Sequence, residues 1–212
     1  ASAVSVVVNN NLFIFINRLL LLIIFVVGSY AQNATQARTV LNKTASILNR
    51  KGGLSFNFSM TGSKTGSVSG TIAIKGKKYN VRTSQATVWF NGKTQWTYMK
   101  KTNEVNITTP TLAQQQMMNP YAFINMYRSG NSLSMKTQGK NYIVHMKASN
   151  KSIQEIYVTI NKSTHIPSAV KFRQGSEWTS ITISKVSMNN QSDNIFTFRS
   201  KDFPGAEIVD LR

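Results

Sequence analysis

Along most of the chain, apolar and polar residues alternate. Leu54, Phe56, Phe58 and Met60 are separated by Ser55, Asn57 and Ser59, a period of two that puts one apolar face on an extended strand. The period continues through Val68, Gly70, Ile72 and Ile74, and then through Tyr79, Val81 and Thr83. Between these runs, Thr61–Ser67 and Gly76-Lys77-Lys78 have the small and polar composition of tight turns. Thr87–Phe90 ends in Asn91-Gly92, a strong hairpin signal because both residue types tolerate positive φ. The return strand is Lys93–Met99, and Glu104–Thr108 follows it. Further strands are expected at Ser132–Thr137, Asn141–Lys147, Ile153–Asn161, Ser168–Arg173, Trp178–Ser187 and Ile195–Phe198. Short turns between successive strands make an antiparallel meander.

Two stretches leave the period of two. Ala34, Ala37, Val40, Leu41, Thr44, Ala45 and Leu48 recur at helical spacing, so Asn33–Arg50 reads as one amphipathic helix. Asn33 is a candidate cap at its start, and Gly52-Gly53 ends it. Pro110 interrupts the meander, after which Thr111–Met118 and Pro120–Tyr127 read as short helices, with Pro120 suited to a first helical turn. A twisted sheet of this size tends to curl, and helices laid over its concave side would cover a cavity lined by alternate residues of each strand. The expected fold class is mainly β with helices (α+β): an incomplete antiparallel β-barrel or curved sheet under a helical lid.

The first 31 residues follow neither pattern. Arg18 precedes the unbroken apolar run Leu19–Val27, and Gly28-Ser29-Tyr30-Ala31 follows with small residues at Ser29 and Ala31. Positive residue, short apolar stretch and small-x-small exit are the parts of a secretory signal peptide. The run is about half the ~20 residues that span a bilayer. Residues 1–31 are therefore expected to be a leader cleaved after Ala31, and residues 32–212 one exported domain.

Composition narrows the chemistry. The net charge of +18 arises because 7 Asp and Glu face 25 Lys and Arg, although charged residues are only 15% of the chain. Such a chain is drawn to anionic surfaces. Its lysines are spread rather than clustered, and export would carry it away from nucleic acid, which is not an expected partner. The absence of cysteine excludes disulfides, thiol nucleophiles, thiolate metal sites and a cysteine-linked lipid anchor. His145 and His165 lie in different strand-like segments without a second ligand at a metal-type spacing. The acids Glu104, Glu155, Glu177, Asp193, Asp202, Glu207 and Asp210 are dispersed. Gly62-Ser63-Lys64-Thr65 lacks the glycine that must precede the lysine of a phosphate loop. No catalytic set, metal or cofactor is expected, and the chain does not read as an enzyme.

Two stretches resemble a known family. One is Trp89-Phe90-Asn91-Gly92-Lys93-Thr94-Gln95-Trp96-Thr97-Tyr98 followed by Asn103-Glu104-Val105, and the other is Asn119-Pro120-Tyr121-Ala122-Phe123-Ile124. With Gly70–Gly76 before them and the ending Phe203-Pro204-Gly205-Ala206-Glu207-Ile208-Val209-Asp210-Leu211-Arg212, they are similar to the periplasmic lipoprotein carrier LolA family, above all to LolA-like proteins of Bacteroidetes. The resemblance implies an incomplete barrel whose cavity is covered by Asn33–Arg50 and Thr111–Tyr127. It implies a monomeric periplasmic carrier that takes lipoprotein acyl chains from an inner-membrane exporter to an outer-membrane acceptor. Where well-studied members carry an Arg-Pro pair whose arginine holds the lid, this chain has Gly76-Lys77. A related-fold protein that senses lipid or lipoprotein and regulates a membrane partner is the alternative reading.

For an acyl cavity, the expected lining is Phe56, Phe58, Ile72, Ile74, Trp96 and Tyr98 from the sheet. Met117, Met118, Phe123, Ile124 and Met126 would come from the lid. Methionine repacks easily and suits chains of differing shape. Each methylene buried contributes about 0.8 kcal/mol, so half a long chain supplies several kcal/mol.

Overall fold

The computed structural model describes residues 33–63, 66–111, 114–115, 132–147 and 153–212. The expected leader and most of the expected lid, Met117, Met118, Phe123, Ile124 and Met126 included, lie outside the described residues. Residues 33–48 form helix α1. The strands that follow are β1 (Leu54–Gly62), β2 (Gly66–Lys75), β3 (Lys78–Thr83), β4 (Ala86–Phe90), β5 (Gln95–Met99) and β6 (Glu104–Thr108). After them come β7 (Ser132–Gln138), β8 (Asn141–Lys147), β9 (Glu155–Asn161), β10 (Pro167–Gln174), β11 (Glu177–Ser187) and β12 (Glu207–Asp210).

All twelve belong to one sheet, ordered β12-β6-β5-β4-β3-β2-β1-β11-β10-β9-β8-β7. Two meanders, β1–β6 and β7–β11, are joined by the antiparallel pairing of β1 with β11. The ends of the sheet, β12 and β7, do not pair, so it is a curved, unclosed sheet rather than a barrel.

Register makes one face largely apolar across β1–β4 and β7–β11, because directly paired residues project to the same side. One row runs Leu54, Ile74, Tyr79, Phe90 and the next Phe56, Ile72, Val81, Val88. On the other half, Met60 is in line with Ile181, Val170, Val158, Val144 and Met135. Helix α1 lays Ala37, Val40, Leu41, Ala45 and Leu48 onto this inner face, and all are buried in the same cluster. At a rise of 1.5 Å per residue it is about 24 Å long, enough to cross several strands.

Both ends of α1 are tied down. Instead of capping its helix alone, Asn33 reaches the edge strand β7: its Nδ2 donates to the Met135 carbonyl (2.8 Å) and its Oδ1 accepts from the Met135 amide (2.7 Å). The amide group thus imitates a further strand at that edge, where open backbone would otherwise invite pairing. Beyond the helix, Gly53 has φ +72, and a Cβ there would sit 2.3 Å from the Ile74 carbonyl oxygen. Only glycine allows the chain to turn into β1 so close to β2.

A bulge keeps β11 in phase. Ile181 and Ile183 face inward at odd positions, and Val186 and Met188 pack on the same cluster at even ones. Between them Lys185 adopts φ 49, and the β1–β11 register slips between Ser55 and Asn57. One extra residue changes the parity and so returns both later side chains to the core.

Gly70 marks a second close approach. It faces inward between Phe58 and Thr83, and a Cβ there would lie 2.0 Å from the Arg82 carbonyl oxygen. Backbone, not a flexible side chain, blocks it. Gly70→Ala is expected to destabilise by about 1–3 kcal/mol through overpacking. A thermal melt checks it, and an unchanged Tm would show that the sheet bends freely there.

Two expectations are corrected beyond β11. Ile195–Phe198 is not a strand: Asp193–Phe196 forms a 3-10 turn, and Ser200–Asp202 another. This segment is a strap across the outer face. Its start is held by Asp193, which accepts from Lys75 (3.2 Å) and Lys78 (2.9 Å) at the β2–β3 turn. Lying across strands rather than beside one, it has no strand edge to pair with. The strap then delivers β12 to β6 in parallel, Ile208 opposite Val105, so the sheet is not antiparallel throughout.

Candidate functional site

Among the described residues, the inner face under α1 carries the main cluster of buried apolar side chains. Phe56, Ile72 and Ile74 lie on it, at 2%, 4% and 3% exposure. Phe58 lies on it too but is only half-buried, packed against the cluster. Around it Met60, Val81, Val88, Met135 and Tyr142 are likewise partly buried. These residues, rather than the sealed ones beneath α1, have surface left to offer a ligand. The two-residue period had already placed Met60 and Val81 on this face; Met135 and Tyr142 needed the pairing of β7 with β8.

Trp96 and Tyr98 do not join them. They pair with Trp89 and Thr87, which face the other side of β4 from Val88 and Phe90. Tyr98 packs on Phe203 at 4.7 Å between ring centroids. Trp89 meets Phe198 and Phe203 edge-on, each at 5.4 Å. With Val105 and Phe196, both fully buried, these rings form a second apolar centre on the outer face, beneath the strap. The inward positions of β5 are Gln95, Thr97 and Met99 instead. The expected contribution of Trp96 and Tyr98 to an inner cavity is therefore corrected. The strap gives Tyr98 a partner, Phe203, on the far side of the sheet.

Of the expected lid, the beginning falls within the described residues. The Thr111 amide donates to Gln114 Oε1 (2.8 Å) and the Gln114 amide to Thr111 Oγ1 (3.3 Å). This reciprocal capping box starts a helix, and the Gln115 amide donates to the Thr111 carbonyl one turn on (2.9 Å).

Over β1–β4 the inner face carries little polarity, and what it carries is uncharged. Tyr79 donates its hydroxyl to Gln95 Oε1 at 2.7 Å and stacks on Phe90 at 4.9 Å. Burial pushes its phenol up to about 12, so it stays neutral at any physiological pH. Thr44, fully buried on α1, has no hydrogen-bond partner for its Oγ1 among the described residues. Thr44→Val removes a lone buried hydroxyl at nearly constant shape and is expected to stabilise by about 1 kcal/mol or more. A rise in denaturation midpoint checks this, and a fall would mean that the hydroxyl has a partner after all. Among the described residues, no group of three or more His, Asp or Glu could hold a metal ion. An apolar face of this kind excludes water.

The sequence profile of a family described as outer membrane lipoprotein carrier protein LolA matches residues 27–176. The chain belongs to this family. The matched stretch runs from before α1 through β10, so it contains the helix and most of the inner face. None of the curated proteins matches the chain in sequence. Among solved structures, an uncharacterised conserved protein from Thermus thermophilus is similar over 82% of this chain and 99% of its own. The TM-score is 0.56 at 10% identity. A LolA superfamily protein from Nitrosomonas europaea covers 76% of this chain and 97% of its own, with TM-score 0.43 and 12% identity. The lipoprotein LppX of Mycobacterium tuberculosis covers 74% and 98%, with TM-score 0.46 and 7% identity. These likenesses concern the fold. The LolA-like architecture, a curved sheet with a helix on its concave side, is the one described above.

Proposed function

We propose that this protein is a periplasmic carrier that shields the acyl chains of lipoproteins within its concave face while they cross from the inner to the outer membrane. Residues 1–31 act as the cleaved export signal, and the exported domain works as a monomer. An inner-membrane exporter loads it and an outer-membrane acceptor unloads it. The observation that supports this reading most is the inner face itself: apolar in every strand from β1 to β4 and from β7 to β11, and overlaid by a helix in a LolA-family chain. Phe56, Ile72 and Ile74 act as the wall that holds α1, and Phe58 meets the acyl chain. Met117, Met118, Phe123, Ile124 and Met126 close over it from the lid side. The process is binding and release, with no bond made or broken.

The test is uptake of a fluorescent fatty acid or a lipopeptide by the processed protein. Binding that excludes water from the probe is expected, with lipopeptide or lipid found by mass spectrometry in protein purified from an exporting host. No uptake of either probe would end the carrier reading.

A further inference from the structure

The outer face of the sheet has two unlike halves. Over β3–β6 the strap packs Phe198 and Phe203 on Trp89 and Tyr98. Over β8–β11 none of the described residues forms such a cover, and Ile143, Tyr157 and Trp178 stay partly exposed. They border a shallow trough of about 560 Å³, floored by the short side chains of Thr159, Ala169 and Thr182. Register sets this out in rows: Ile143, Thr159, Ala169, Thr182, then His145, Tyr157, Lys171, Ser180, then Lys147, Glu155, Arg173, Trp178.

Charge on this face is one-sided. Lys136, Lys147, Lys171 and Arg173 point outward from β7 to β10, against one outward carboxylate, Glu155. That carboxylate is already occupied. It accepts from Arg173 Nε (3.1 Å) and the Tyr157 hydroxyl (3.0 Å), and lies 2.9 Å from His145 Nε2. Lys171, by contrast, is exposed and carries its ammonium 4.5 Å above the Trp178 ring. A cation held over an aromatic face keeps its N–H groups for an external acceptor.

We propose that this face of β8–β11 docks the protein on the anionic headgroups of a bilayer. Partly exposed Trp and Tyr beside lysines is the composition that settles at headgroup depth, rings at the interface and ammonium groups on phosphates. The hydroxyls of Thr159, Ser180 and Thr182 lie between them, within reach of phosphate and glycerol oxygens. Ring geometry argues against a stacked base or sugar. His145 lies parallel on Tyr157 at 4.3 Å, Lys171 sits over Trp178, and the Tyr157 and Trp178 rings are tilted 39° apart. No flat, open platform remains. The surface is on the opposite side of the sheet from the acyl-binding face, so the inference stands independently of the carrier reading.

The experiment is co-sedimentation of the protein, as matured in an exporting host, with vesicles of phosphatidylcholine alone or mixed with phosphatidylglycerol. Binding is expected to the mixed vesicles, weakening as salt rises. A lysine near an anionic bilayer contributes enough that the double variant Lys147→Ala/Lys171→Ala should bind about 30-fold more weakly. The double variant Lys93→Ala/Lys101→Ala, with the same change of charge on the far half, should stay within about threefold of the parent. Equal losses in the two variants would overturn the proposal in favour of diffuse charge attraction. So would equal binding to both kinds of vesicle, or binding of soluble glycerol phosphate without vesicle binding. Uptake of the acyl probe in lipid-free solution, measured on the same variants, should not change. Loss of docking with retained uptake therefore tests this surface and leaves the carrier reading untouched.

Discussion

Replacing Phe56 with alanine is expected to lower the unfolding free energy by about 3–5 kcal/mol. The ring is 2% exposed and sits on β1, the strand that joins the two meanders through β11 and β2. Its row neighbours Ile72 and Val81 belong to the cluster that holds α1. Removing the ring leaves a cavity where sheet and helix meet, and neither can collapse without breaking backbone pairing. Urea denaturation followed by circular dichroism checks the loss. Phe58→Ala, two residues along the same face, should cost clearly less because its ring is only half-buried. Equal costs at the two positions would show that the inner face is sealed over Phe58 as well, leaving no surface there for a ligand.

The second large effect concerns binding. Phe58→Gln should weaken acyl-probe binding by about 10- to 100-fold, the equivalent of roughly 1.5–3 kcal/mol for one buried aromatic contact. The side chain keeps some length but brings a polar amide to a face that otherwise excludes water. Because Phe58 is half-buried in the empty protein, the change should leave the fold standing. Trp96→Gln is the matching control, since its side chain points to the opposite face. It should bind the probe as the parent does. If Trp96→Gln weakened uptake as much as Phe58→Gln, the assignment of faces on which the carrier reading rests would be lost.

How far the sequence alone could be read varies along the chain, and the reason is the same each time. For β1 to β3, one alternating phase is apolar and the other is Ser, Thr, Asn, Lys or Arg almost throughout, so the buried face is unambiguous. For β4 and β5 both phases carry large apolar groups: Val88 and Phe90 against Trp89, and Met99 against Trp96 and Tyr98. Periodicity cannot decide between two apolar phases. Trp96 and Tyr98 looked like cavity residues because the strap residue that packs on Tyr98, Phe203, is more than a hundred positions away. The strap itself misled for a related reason. Ile195, Phe196, Thr197 and Phe198 alternate as a strand does, yet Phe196 is buried and Phe198 meets Trp89 without any neighbouring strand.

By itself, the sequence determined the local grammar of this protein: an amphipathic helix, a run of hairpins with their turn residues, an interruption at Pro110 and a basic surface. Those features follow from contacts within a few residues, where spacing and residue type are sufficient. The tertiary structure alone decided what depends on distant partners. It joined the two meanders through β1 and β11, and used the Lys185 bulge to hold β11 in phase. It turned Asn33 into a clamp on β7, laid β12 parallel to β6, and sent Trp96 and Tyr98 to the outer face. In each case the deciding interaction lies between segments far apart in the chain, and a pattern of period two or 3.6 carries no information about which distant surface will cover it.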